Sequence, residues 1–93
     1  MTLESICEYL STLPLQLDVR RWRVEPGCDV YPAADPCQYR MIVWQKREGW
    51  AVEVEERTAF SWERVTFAQI INDPTDLAIP AHRYLSCAFP SVK

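Results

Sequence analysis

The sequence predicts a small α+β protein, a single domain over residues 1–93, in which helices pack on one face of a three-stranded antiparallel meander. Three observations predict this class. Apolar residues recur at helical spacing near the start of the chain, they alternate in two neighbouring segments in the middle, and proline or glycine separates these segments. Hydrophobic residues make up 48% and charged residues 25% of the 93 residues, a mixture typical of a globular domain with one modest core. The predicted order of elements is α-β-β-β-α-α.

The first predicted element is a helix over residues 2–13. Apolar side chains from Leu3 to Leu13 recur at intervals of three and four residues, which places them on one helical face. Thr2 is a suitable N-cap, and Pro14 ends the helix because its ring does not fit a helix interior.

A first strand is predicted over residues 15–24. Apolar residues alternate with polar ones from Leu15 to Val19, and the alternation then changes phase at Trp22. A β-bulge at residues 20–21 would restore one buried face. The alternative is a strand that carries apolar side chains on both faces.

The strongest prediction is a hairpin formed by residues 39–46 and 50–58. A turn centred on Arg47 and Glu48 pairs Val43 with Val52, whereas a turn centred one residue later pairs Val43 with Val54. Both registers give the same two faces. The core face carries Met41, Val43, Val52 and Val54, and the opposite face carries Ile42, Trp44, Glu53 and Glu55.

The remaining segments are predicted as a loop and two helices. Residues 25–38 contain several prolines and are interpreted as a long loop. Residues 61–73 are predicted to contain the second helix, with Thr66 as N-cap and an apolar face that includes Phe67 and Ile70. Residues 80–88 are predicted as a last short helix that starts at a proline.

The sequence gives no positive sign of catalysis, of a cofactor or of a metal site. Its two glycines cannot build a phosphate-binding loop, and its lone histidine, His82, is interpreted as a surface or packing residue. The cysteines form no C-x-x-C pair. Cys7 and Cys87 are expected to be small buried side chains, while a disulfide between Cys28 and Cys37 is an alternative left open.

The charge pattern bears on location and partners. The formal net charge is −3, which makes non-specific phosphate binding an unfavourable hypothesis. The first residues show no basic segment followed by an apolar run, and no stretch approaches the ~18 apolar residues of a membrane span. We therefore expect a cytoplasmic protein without a membrane partner.

The leading functional hypothesis is a non-catalytic protein-binding module, such as a small inhibitor, an immunity-type protein or an adaptor. Mobile-element or phage inhibitors of bacterial defence systems share its size and acidity, an analogy of class alone. The partner is expected to be another protein, or a second copy bound through the open sheet face. The predicted contact residues are Arg20, Arg21, Trp22, Arg23, Ile42, Trp44, Glu53 and Glu55.

Two alternatives belong to other functional classes. The cluster from Arg20 to Arg23 encloses an aromatic residue, a pattern that suits single-stranded nucleic acid because bases stack while phosphates pair. The second alternative is a small metal or redox protein that uses its cysteines.

Overall fold

A computed structural model describes residues 1–33 and 37–86. Two helices, one short 3-10 helix and six strands make up this part of the chain. They are α1 (Leu3–Thr12), β1 (Leu17–Arg21), β2 (Gly27–Pro32), β3 (Tyr39–Lys46), β4 (Gly49–Arg57), β5 (Trp62–Arg64), β6 (Gln69–Ile71), the 3-10 helix Pro74–Leu77 and α2 (Ala78–Leu85).

All strand pairs are antiparallel, and each of the first four strands lies beside the next. Strand β4 is long enough to carry two short partners on its outer edge: β5 pairs with its end and β6 with its beginning. The α+β class and the antiparallel sheet are therefore confirmed. The predicted three strands and the order α-β-β-β-α-α are wrong, since six strands separate the two α-helices.

The first helix forms as predicted, with its N-terminus capped by side chains. Thr2 Oγ1 accepts a hydrogen bond from the backbone N–H of Ser5, and Ser5 Oγ accepts one from the N–H of Thr2. Ile6 and Leu10 are the buried residues of the helix. They pack with residues of the 3-10 helix and α2 over one face of the sheet.

The central hairpin has the tighter of the two predicted registers. Val43 lies opposite Val52, and Lys46 lies opposite Gly49, so Arg47 and Glu48 form the turn. The φ of Gly49 is +140°, a conformation that side chains disfavour, which explains glycine at the end of this turn. The predicted core face is confirmed, because Met41, Val43, Val52 and Val54 are all buried.

The predicted loop over residues 25–38 is wrong, because β2 lies within it. This strand pairs with β1 on one side and β3 on the other, and its buried Cys28 and Val30 alternate with Asp29 and Tyr31. Pro26 precedes the strand and Pro32 ends it, positions that proline tolerates because no ladder hydrogen bond within the strand is lost. Pro36 lies outside the described residues.

The predicted helix over residues 61–73 is also wrong. Strands β5 and β6 occupy this segment, joined by residues 65–68, which interrupt the regular ladder with β4. The N–H groups of Val65 and Thr66 both donate to the carbonyl of Val54. Thr66 is not an N-cap: its Oγ1 accepts a hydrogen bond from the N–H of Val54 and so replaces a ladder partner. The outer edge of β4 requires backbone partners, and this requirement outweighs the helical spacing of Phe67 and Ile70.

The bulge expected at residues 20–21 is absent, since β1 pairs with β2 in continuous register from Leu17 to Arg21. The N–H of Trp22 donates to the carbonyl of Gly27 and closes the hairpin. Trp22 therefore lies on the face opposite Leu17 and Val19, as the alternative of apolar side chains on both faces requires.

The last helix begins two residues before Pro80, at Ala78, and is preceded by the 3-10 helix. Ala88, the predicted end of this helix, lies outside the described residues. Leu77, Ala81 and Leu85 join the core between α1 and the sheet. Within residues 1–33 and 37–86, the helices are too short and too polar to cross a bilayer.

Candidate functional site

The candidate site is the face of the sheet opposite the helices, here called the open face. Strand alternation separates its side chains from the aliphatic ones that contact α1 and α2. Most are only partly buried. The open face carries Asp18, Arg20, Trp22, Asp29, Tyr31, Arg40, Ile42, Trp44, Ala51, Glu53, Glu55, Trp62, Arg64 and Ile70.

Trp22 lies flat against the backbone at the start of β2. A Cβ placed on Gly27 would lie 2.6 Å from Cε3 of this indole, so glycine is required for the ring to approach. The indole N–H donates to Asp29 Oδ1 at 3.0 Å, which sets the orientation of the ring. This tryptophan is thus held rigidly at one side of the open face.

A second aromatic group surrounds Arg40 near the middle of the sheet. Its guanidinium donates to Glu55 Oε1 through Nε at 2.8 Å and lies 2.7 Å from the same oxygen through Nη2. Nη1 donates to the Tyr31 hydroxyl at 3.1 Å, and the ring of Trp62 covers Cζ at 4.5 Å. Only 20% of the Arg40 side chain and 16% of the Glu55 side chain remain exposed. Through the stacking of Trp62 on Arg40, the short strand β5 contacts the centre of the face.

Trp44 and Ile42 occupy β3 between these two groups. Trp44 is opposite Gly27 on one neighbouring strand and Ala51 on the other. Ala51 has no exposed surface although it lies on the open face, because the larger Trp44 and Ile70 flank it. Trp44 itself is half-buried, neither enclosed by its own chain nor fully exposed.

Glu53 is the least compensated acidic group on the face. It is opposite Ile42, and no cation of the described residues forms an ion pair with it. Burial, with a smaller contribution from the neighbouring Glu55 charge, raises the pKa of this carboxyl above its usual range. The charge of Arg64 partly opposes this increase, so Glu53 is a partly desolvated acid without an ion pair among the described residues.

The structure separates the arginines that the sequence grouped together. Arg20 is on the open face, paired with Asp18 at 2.9 Å and lying over Tyr31. Arg21 points to the helix side, where it forms a 2.9 Å ion pair with Glu4. Arg23 is exposed in the turn after β1. Of the eight predicted contact residues, the structure brings six together on one face, and Arg21 and Arg23 lie away from it.

The cysteines that the structure describes are free thiols. Cys28 and Cys37 form no disulfide, and Cys7 is half-buried where a fully buried side chain was expected. Burial raises the pKa of the Cys28 thiol to about 12, which keeps it neutral. Cys87 lies outside the described residues. Residues 1–33 and 37–86 contain no cluster of three or more metal-ligating side chains, and His82 is exposed on α2.

The sequence analysis missed Tyr31, Arg40, Trp62 and Arg64 as members of the face. Tyr31 and Trp62 fell in segments interpreted as loop and helix, so their alternation went unused. The signal that could have found β2 is in residues 28–31, where the apolar Cys28 and Val30 alternate with Asp29 and Tyr31. Comparisons with protein-family models, curated proteins and solved structures give no match to this chain.

Proposed function

We propose that this protein is a non-catalytic module that binds another protein through the open face of its sheet. One observation carries the proposal: a helix-free sheet face presents half-buried aromatic rings and arginines in a preorganised arrangement. Trp, Tyr and Arg dominate interface energies: the aromatic rings cover large areas at little loss of conformational entropy, and the guanidinium donates several hydrogen bonds and stacks on rings. The rings of Trp22 and Trp62 are already held by hydrogen-bonded or stacked neighbours.

The proposal also assigns a chemistry to the partner. Glu53 lies beside Ile42 and Trp44 without an ion pair from the described residues. A basic side chain of a partner would compensate this carboxylate at the moment when binding removes water from it. A partner with an apolar centre next to a lysine or arginine therefore fits the face.

The stability of the protein gives an independent argument. A carboxyl whose pKa is raised by burial destabilises the folded chain at neutral pH, because its charged form is poorly solvated. A neutral residue would be more favourable for folding alone. Residues that lower stability are common at functional surfaces, where activity is retained at the expense of stability.

The ion pairs of the arginine cluster favour protein over nucleic acid as the partner. Arg20 and Arg21 are each held by a carboxylate of the same chain, which lowers the positive charge that phosphates would meet. The free thiols of Cys7, Cys28 and Cys37 are in keeping with a reducing compartment, so the proposal places the module in the cytoplasm.

Affinity capture from cells that express the protein tests this proposal. Wild type should recover one stoichiometric protein, and Trp44→Ala and Glu53→Arg should each reduce its recovery about tenfold or more. Ile79→Ala is the matched control, because Ile79 is 70% exposed and lies on α2, on the other side of the sheet. Circular dichroism of each variant confirms that the loss does not result from unfolding.

Two results contradict the proposal. The first is a recovered protein that binds the folded Trp44 and Glu53 variants as well as wild type. The second is recovery of nucleic acid alone, with a steep decline as salt is raised.

A further inference from the structure

The outer edge of β1 is an unpaired edge of the sheet. Among the described residues, no strand lies beside β1 on the side away from β2. The β1–β2 hairpin is bounded by hydrogen bonds from Trp22 N–H to the Gly27 carbonyl and from Ala33 N–H to the Gln16 carbonyl. Backbone groups of even-numbered residues thus point towards β2. By antiparallel alternation, those of Leu17, Val19 and Arg21 point outwards.

An apolar groove adjoins this edge on the helix side. It lies between α1 and β1, has a volume of about 430 Å³, and is lined by Cys7, Leu10, Leu15, Leu17 and Val19 together with polar Ser11 and Gln16. Leu15, Leu17 and Val19 are only partly buried. A strand added to β1 would place alternate side chains over this groove.

The charges of β1 are complementary to a second copy of β1 in one register. An antiparallel pair centred on Val19 places Asp18 opposite Arg20 of the second copy, and Arg20 opposite its Asp18. In this register the outward N–H and C=O groups of Leu17, Val19 and Arg21 on one copy lie opposite those of Arg21, Val19 and Leu17 on the second copy, so they can form the hydrogen bonds of an antiparallel ladder.

The two neighbouring registers with matched backbone groups are unfavourable. A two-fold axis at Asp18 brings two aspartates into direct opposition, and an axis at Arg20 does the same for two arginines. Asp18 and Arg20 are 46% and 65% exposed, so both are accessible to a second copy. Charge therefore favours the register centred on Val19 over these two neighbours.

We propose that the protein forms a two-fold symmetric homodimer by antiparallel pairing of β1 with β1, centred on Val19. The pairing joins two six-stranded sheets into one. On the helix side it brings Val19 of the two copies together and places the long side chain of Arg21 of the second copy opposite Leu17, at the edge of the groove beside α1. Of the open face only Asp18 and Arg20 take part in this pairing, and Trp44 and Glu53, on which the capture experiment depends, stay accessible on both copies.

Sedimentation analysis with a charge-swap pair tests the dimer. Wild type should double its mass as the concentration is raised to about 1 mM, whereas Asp18→Arg and Arg20→Asp should each weaken self-association about tenfold or more. An equimolar mixture of the two variants should recover the dimer, because a strand with arginine at both positions 18 and 20 then meets a strand with aspartate at both of these positions. A purely intrachain role of the Asp18–Arg20 pair predicts no recovery on mixing.

Two further variants complete the experiment. Val19→Pro removes one outward N–H without removing a bond to β2, and it should leave a folded monomer. Glu63→Arg reverses an exposed charge at the opposite side of the sheet and should dimerise like wild type. A wild type that remains monomeric throughout, or a mixture that stays monomeric, overturns the proposal.

Discussion

The two faces of this sheet are built from alternate residues of the same strands, yet they are covered differently: one by the helices and the other by large side chains of the strands themselves. Towards the helices, medium-sized aliphatic side chains such as Met41 and Val43 are excluded from water by α1 and α2. Away from them, large rings lie over small residues, as Trp22 does over Gly27, and arginines stack on the rings. The first arrangement buries area for stability, and the second leaves aromatic surface accessible to a partner.

The largest difference between the faces should appear when neighbouring residues of β3 are truncated. Met41→Ala removes a side chain with no exposed surface and should lower the free energy of unfolding by about 3 kcal/mol. Ile42→Ala, on the open face, should lower it by about 1 kcal/mol because the side chain already contacts water. Urea denaturation of both variants measures the two values. Equal losses would mean that the open face is as well packed as the core.

A smaller difference should separate two arginines within the open face. Arg40→Ala leaves Glu55 partly buried without its cation and removes the stacking of Trp62, so we expect a loss of about 2 kcal/mol. Arg20→Ala breaks an exposed pair and should cost less than about 1 kcal/mol.

Thermal and urea unfolding at dilute protein, where self-association does not contribute, measure both arginine variants. A cost for Arg20→Ala equal to that for Arg40→Ala would show that the aromatic cover of Arg40 adds no stability.

The strand pattern of the sequence was sufficient for the hairpin, because alternation over residues 50–55 leaves one possible core face. It was insufficient for β2, whose five central residues are bounded by Pro26 and Pro32, residues that also punctuate loops. It failed for β6 because Ile70 and Ile71 satisfy a helical spacing over a short segment. What decided that segment was the unpaired edge of β4, which local spacing does not encode.

The candidate site, like the fold, was predicted in part. The opposite parity of Ile42 and Trp44 followed directly from the hairpin, and the structure places both on the open face. The enclosure of Arg40 was not foreseen, since it depends on Tyr31 and Trp62 from two strands that were not predicted. Contacts between residues far apart in the chain require the topology before they can be inferred.

The smallest predicted effect concerns Glu53 and depends on pH. Because burial raises its pKa, the folded chain binds this proton more tightly than the unfolded chain does. Stability therefore falls as pH rises from the usual carboxyl pKa through the raised value. Glu53→Gln should increase the free energy of unfolding by about 0.5 kcal/mol at pH 7.

The gain from Glu53→Gln should disappear near pH 3, where the carboxyl is protonated in both states. Urea denaturation of wild type and variant at the two pH values gives this comparison, and a gain that is equal at both would contradict the assigned burial effect.

Because of the irregular residues 65–68, the two edges of the sheet differ in their ability to pair with a further strand. On that side the outer edge consists of two strands of three residues each, β5 and β6, and the irregular residues 65–68 between them interrupt it, so a straight neighbouring strand finds no continuous row of backbone groups. Strand addition is thereby restricted to the β1 end. A subunit with one free pairing edge forms a closed dimer when two copies meet, and it does not polymerise into fibres.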